Sequence, residues 1–135
     1  MGCLGSSGYD WDRLSALFAL HKNCYWRKES ELILDLGPFV ALLEYAAGVE
    51  ARIVGKPARP FFELALADMV AEPATTIMIG DDIANEIAGA QNAGLRAVQV
   101  RTGKFRAADE ARADILLDAR IDSIRELPGM LDRLV

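Results

Sequence analysis

Residues Thr75–Glu86, TTIMIGDDIANE, constrain this chain more than any other stretch, because an apolar run breaks off there in two adjacent carboxylates. Thr76-Ile77-Met78-Ile79 shows no polar alternation, which predicts a strand covered on both faces, as in a parallel sheet. Gly80 then lets the backbone turn, and Asp81 and Asp82 fall at the carboxyl end of that strand. In open α/β sheets ligands bind in the crevice outside the strand ends. Two like charges at the edge of an apolar layer raise one another's pKa unless a cation lies between them. An oxygen-liganded divalent metal, Mg²⁺ first, answers that need. A plainer alternative stays open at this point: the acids cap the helix that follows.

The rest of the chain supplies the frame. Gly2–Gly8 reads as a lead-in, and Asp10–Leu20 as a short amphipathic helix. Leu32–Asp35 is strand-like, and Gly37-Pro38 starts a helix over Phe39–Ala47 that Gly48 closes in a left-handed cap. Strands are predicted at Ala51–Val54, Thr75–Ile79, Arg96–Val100 and Ala113–Leu117. Helices fall at Phe61–Val70 and Ala84–Ala93, with a last one over Ile121–Leu134 interrupted at Pro128-Gly129. From Glu50 onward this alternation predicts a parallel sheet with right-handed crossovers, a Rossmann-like α/β fold.

Gly55-Lys56-Pro57 lies between the Ala51 strand and the Phe61 helix. A lysine at the positive end of a helix macrodipole is disfavoured unless an anion occupies the same place. The alternative is a solvated surface lysine. No nucleotide P-loop is present, since its upstream glycine and the Ser/Thr after the lysine are missing. Lys56 at one strand end and Asp81-Asp82 at the next place an ammonium and a carboxylate pair on one rim. That arrangement suits a phosphoryl group held through a metal and a cation. Gly103-Lys104 ends a strand near the same rim and is a candidate second phosphate contact.

Val54-Gly55-Lys56-Pro57, the Phe61-Phe62 pair, Met78-Ile79-Gly80-Asp81-Asp82-Ile83, Gly89-Ala90-Gln91, Ala93-Gly94 and Val100-Arg101-Thr102-Gly103-Lys104-Phe105 occur in that order. Together they resemble the haloacid dehalogenase superfamily, and within it the subfamily IIA phosphatases. The resemblance reaches back through Leu34–Phe39 and Leu43–Gly48 and covers most of the chain. It implies a Mg²⁺-dependent phosphohydrolase with a Rossmann-like core and an inserted α/β cap. Residues 1–48 would be a partial cap and 49–135 the second half of the core. By the same resemblance Lys56 neutralises phosphate and nucleophile, with Gly55 and Gly80 beside the phosphate. Asp81 would ligate Mg²⁺, while Asp82 and Glu86 would support the metal.

Departures from that pattern matter as much. The family's nucleophile is the first Asp of an Asp-x-Asp motif that follows an apolar strand. Here Asp10-Trp11-Asp12 has the letters, but no such strand precedes it, and Arg13-Leu14 replace the small-residue turn. It is read as a decoy. The cap is shortened between Leu14 and Tyr25, Ala58 stands where a capping Ser is usual, and Glu86 replaces Asp. Without a nucleophile the chain is expected to turn over little substrate. Loss of the nucleophile-bearing strand would also expose an apolar edge prone to self-association.

Charge and composition limit the partners. A formal net charge of −5 argues against nucleic acid and anionic membrane surfaces. No apolar stretch reaches the length of a membrane span. Cys3 and Cys24 have no zinc-type spacing and suit reduced thiols in the cytoplasm. His21, the single histidine, excludes mechanisms that need several imidazoles. A small phosphorylated compound is the substrate class expected. Met1–Ser6 formally fits an acylation pattern, as short Gly/Ser starts often do. A phospho-acceptor receiver domain ranks low, because there the acids precede the lysine. A non-catalytic, metal-responsive or self-associating module is the competing class.

Overall fold

A computed structural model describes residues 16–29, 31–112 and 115–134. The lead-in, the acylation pattern and Asp10-Trp11-Asp12 lie outside the described residues. The first half contains β1 (Leu17–Ala19), β2 (Tyr25–Lys28), β3 (Glu31–Leu34), α1 (Leu36–Ala47) and β4 (Ala51–Ile53). β1 and β4 pair in parallel, Leu17 beside Ala51 and Ala19 beside Ile53. Ala19, Val40 and Ala51 bury a small core between this pair and α1. β2 and β3 form an antiparallel hairpin with Tyr25 opposite Leu34.

Two expectations change here. Leu17–Ala19 is strand rather than the end of a helix, because a parallel partner more than thirty residues later outweighs its helical spacing. Ala51–Ile53 pairs with β1 and not with the strand that carries the acid doublet. The α1 boundaries follow local chemistry. The Asp35 carboxylate accepts the Leu36 N–H at 2.8 Å, and Gly48 takes φ +66°. Glu44 on α1 accepts Lys22 Nζ at 2.8 Å and the Ala51 amide at 2.8 Å, which ties the connection between β1 and β2 to β4.

The second half runs α2 (Arg59–Met69), β5 (Ile77–Gly80), a wide π-helical segment Ile83–Ala88 leading into α3 (Gly89–Asn92), β6 (Arg96–Val100), α4 (Ala107–Arg112), β7 (Ala119–Ile121) and α5 (Leu127–Leu134). Three parallel strands form one sheet in the order β5-β6-β7. Phe62, Leu66, Ile87, Ala90 and Ala97 bury one face with Met78. Val98, Ile121 and Met130 fill the other with Ile77 and Ile79. The result is the expected α/β Rossmann-like layering, with β5 at an open edge among the described residues.

The third strand starts later than expected. Asp118 Oδ2 accepts the Ala97 amide at 2.8 Å and Gln91 Nε2 at 3.0 Å, so a carboxylate occupies the place of a ladder carbonyl and pairing begins at Ala119. The last helix likewise begins at Leu127 rather than Ile121 and includes Pro128-Gly129. Proline is tolerated in a first turn, where its missing N–H has no partner to lose.

Candidate active site

The loop after β4 and the loop after β5 belong to different sheets, yet they meet at one cleft. Lys56, Asp81, Asp82 and Glu86 line a cavity of about 440 Å³ together with His21 and Lys104. A contiguous cavity of about 390 Å³ extends from Asp81 and Asp82 toward Lys22, Tyr25 and Arg106. The residues meet at one cleft, but by convergence of two sheets and not along the rim of a single sheet as expected. Gly55 permits the approach, because a Cβ there would run into the Leu20 carbonyl oxygen.

Glu86 joins the parts. Its Oε1 pairs with the Lys56 ammonium, and its Oε2 accepts the amides of Asp81 at 2.9 Å and Asp82 at 3.3 Å. Gly80, buried at the end of β5, has no room for a Cβ beside that carboxylate. Phe61 lies 6.0 Å from the Lys56 ammonium.

The two adjacent acids have different duties. Asp82 Oδ1 accepts from the amides of Ala84 and Asn85 at 3.2 and 3.0 Å, which caps the helix. Its Oδ2 accepts from Asn85 Nδ2 at 2.9 Å and Lys104 Nζ at 2.6 Å. Burial pushes the Asp82 carboxyl up, but the Lys104 and Asn85 hydrogen bonds outweigh it and hold the pKa below the usual carboxylate value. Asp81 spends Oδ2 on the Lys104 amide at 2.7 Å. The turn that brings this amide in requires Gly103, at φ +54°, where a Cβ would collide with Asp81.

Among the described residues no group of three His, Cys, Asp or Glu side chains is disposed to hold a metal ion. As the chain stands, lysines and backbone amides engage the Asp82 and Glu86 carboxylates, which were expected to support a cation. Asp81 remains the hard-oxygen donor suited to Mg²⁺, an ion that commonly keeps several waters and takes one or two carboxylates. The residues fit a hydrated cation held by one acid better than a cage of three.

In the sequence Lys104 is a candidate second phosphate contact, and the structure makes it part of the acid loop. A signal was present: Gly103-Lys104 repeats Gly55-Lys56, each pair following a strand. Tyr25 and Arg106 were not anticipated together. Tyr25 donates to Asp109 Oδ2 at 2.9 Å and accepts from Arg106 at 3.1 Å, joining the hairpin to α4.

A family model described as HAD-hydrolase-like matches residues 53–127, more than half of the chain. The chain belongs to the HAD-like hydrolase family. This HAD-like chain is 48% identical over 115 residues to bovine phospholysine phosphohistidine inorganic pyrophosphate phosphatase, covering 85% of this chain and 43% of that protein. It is 51% identical over 94 residues to bovine haloacid dehalogenase-like hydrolase domain-containing protein 2, covering 70% of this chain and 36% of the relative. A glycerol phosphate phosphatase from Mycobacterium tuberculosis, solved in complex with magnesium, superposes with TM-score 0.71 at 29% identity over 83% of this chain and 34% of that one. The chain thus spans less than half the length of the curated relatives it matches.

Proposed function

We propose that this HAD-like chain furnishes the phosphate-holding half of a Mg²⁺-assisted phosphohydrolase site whose substrate is a small phosphorylated compound. The observation carrying this reading is the convergence of Lys56, Asp81 and Glu86 on one cleft, with Glu86 bonded to Lys56 and to the acid loop. Lys56 supplies positive charge for phosphoryl oxygens, and Asp81 would hold the cation. Bound Mg²⁺ would neutralise charge developing on the phosphoryl group.

Aspartyl-phosphate chemistry also needs a carboxylate that attacks phosphorus, a role lysine and metal cannot fill. Asp82 and Glu86 are held by lysines and amides. Asp10-Trp11-Asp12 lacks the preceding apolar strand. The reading is therefore a half-site with little or no turnover by itself. Residues 1–48 then represent a remnant of the cap and 49–135 the second half of the core, with β4 reaching back to β1. A reduced cytoplasmic setting suits its cysteines.

The test is p-nitrophenyl phosphate hydrolysis in Mg²⁺, first with this chain alone and then with a polypeptide carrying an apolar strand that ends in Asp-x-Asp. Turnover restored by the mixture and removed by Lys56→Met supports the half-site. Turnover by the chain alone that vanishes on Asp10→Asn or Asp12→Asn overturns it.

One observation favours a second reading, a self-associating module. β5 is an open parallel edge among the described residues, and α1 exposes Phe39, Leu42 and Tyr45 at helical spacing. Sedimentation should then show concentration-dependent association. A monodisperse monomer with a sharp thermal transition would count against it. No helix in the described residues is long and apolar enough to cross a membrane.

A further inference from the structure

Lys104 grips the acid doublet twice, through its backbone amide on Asp81 at 2.7 Å and its ammonium on Asp82 at 2.6 Å. The Tyr25 ring holds the same ammonium from 5.3 Å. Other cations of the cleft are engaged elsewhere: Lys56 with Glu86, Lys22 with Glu44, and Arg106 with Tyr25. Lys104 also borders each of the three cavities that meet at Asp81, so its side chain has space to move away.

A second observation points to a ligand in the same place. Gln99, on β6 opposite Gly80, is 1% exposed and forms part of the wall of the cavity that contains Asp81 and Asp82. Its Oε1 has no hydrogen-bond partner. A buried carbonyl without a donor is costly, and an aliphatic side chain would fill the space without that cost. Water carried by a divalent cation offers O–H donors at such a wall.

We infer that Lys104 is the resident cation of the acid doublet, and that a divalent metal binds there in exchange for its ammonium, with Gln99 accepting from a water of the incoming ion. This rests on the proposed reading of Asp81 as the metal-facing acid.

Calorimetric titration of the full chain with MgCl₂, beside Lys104→Met and Gln99→Leu, tests the exchange. Removing the competing ammonium should tighten Mg²⁺ binding about tenfold, the equivalent of one charge-assisted hydrogen bond. Gln99→Leu should weaken it about fivefold. A measurement on the unaltered chain needs no variant to fold: a lysine acylating reagent, read by peptide mass spectrometry, should label Lys104 faster in Mg²⁺ than without it. Equal affinity in Lys104→Met, or Lys104 labelling independent of Mg²⁺ in a chain that binds Mg²⁺, overturns the exchange and leaves the metal site standing. No binding heat in either protein overturns the metal site itself, and the exchange with it.

Discussion

Glu86 is the side chain from which the acid loop hangs, and its truncation gives the sharpest test of the site's construction. It is 16% exposed, accepts the Asp81 amide at 2.9 Å and the Asp82 amide at 3.3 Å, and pairs with Lys56. A net hydrogen bond to a charged group contributes about 1.5–3 kcal/mol. The shorter amide bond should supply most of that, while the longer one adds little. Lys56 is 36% exposed, so solvent screens its pairing and limits it to about 1 kcal/mol. Glu86→Ala should therefore cost about 2–4 kcal/mol. Glu86→Gln, which keeps an oxygen for the amide and loses the charge and the oxygen that faces Lys56, should cost about 1 kcal/mol. For a chain of this size each kcal/mol lowers Tm by about 3–5 °C. Urea unfolding followed by circular dichroism reads the difference as a shift in midpoint at constant slope. A Glu86→Ala protein within about 0.5 kcal/mol of the parent would refute the reasoning, because that is the range of a surface substitution without partners.

Three further expectations follow from single residues. Val70 ends α2 at φ +53° and is 92% exposed, a left-handed conformation that costs a β-branched residue roughly 1–2 kcal/mol. Val70→Gly should raise stability by about 1 kcal/mol in the same urea assay, since glycine accepts that conformation but gains unfolded-state entropy. Phe62 is 2% exposed in the core beneath the cleft, and Phe62→Ala should cost about 3–5 kcal/mol, against clearly less for Phe61→Ala at 38% exposure. The carboxyl of Asp82 titrates below its unfolded value, so its contribution is complete above about pH 3.9 and is lost as pH falls through the lower folded value. Asp82→Asn should remove that part of the acid sensitivity, measured as Tm against pH, while Asn still caps the helix.

Local chemistry made some elements readable and topology hid others. Arg96–Val100 occupies the span predicted from its apolar run, and Gly48 closes α1 as predicted, whereas α1 begins at Leu36 behind an Asp35 cap instead of at Gly37-Pro38. Ala58 lacks a side-chain cap bond at the start of α2, as its methyl dictates. Leu17–Ala19 is ambiguous in the sequence because a short apolar run fits helix and strand alike, and its partner β4 is remote. The start of β7 was hidden because Asp118 takes a backbone amide of β6, a tertiary contact that no window of sequence contains. The same division runs through the site. Gly55-Lys56 and Asp81-Asp82 stood out as punctuation after strands, whereas the Lys104–Asp82 and Lys56–Glu86 pairs depend on how separate loops fold back.

Of the two initial readings of the acid doublet, Asp82 realises the helix cap, and the cation ligand is the role proposed for Asp81. Asp82 caps the π-helical segment and attracts Lys104, so its charge serves the folding of the loop. While Lys104 holds it, that carboxylate is closed to a divalent ion, which demands oxygen ligands in near-octahedral geometry. Asp81, one residue earlier, leaves the end of β5 before the helix begins and has only Oδ2 drawn toward the Lys104 amide. Adjacent acids let one side chain order the turn while the other serves the crevice at the strand end. A single acid would have to forfeit either the cap or the ligand. Compensation by lysine then becomes a requirement of the fold, because two neighbouring carboxylates beside the buried Gly80 would otherwise repel. Lys56 and Lys104 meet that requirement, one through Glu86 and one directly. The positive charge that the proposed function assigns to an incoming phosphate is thus the charge that already holds the acids in place.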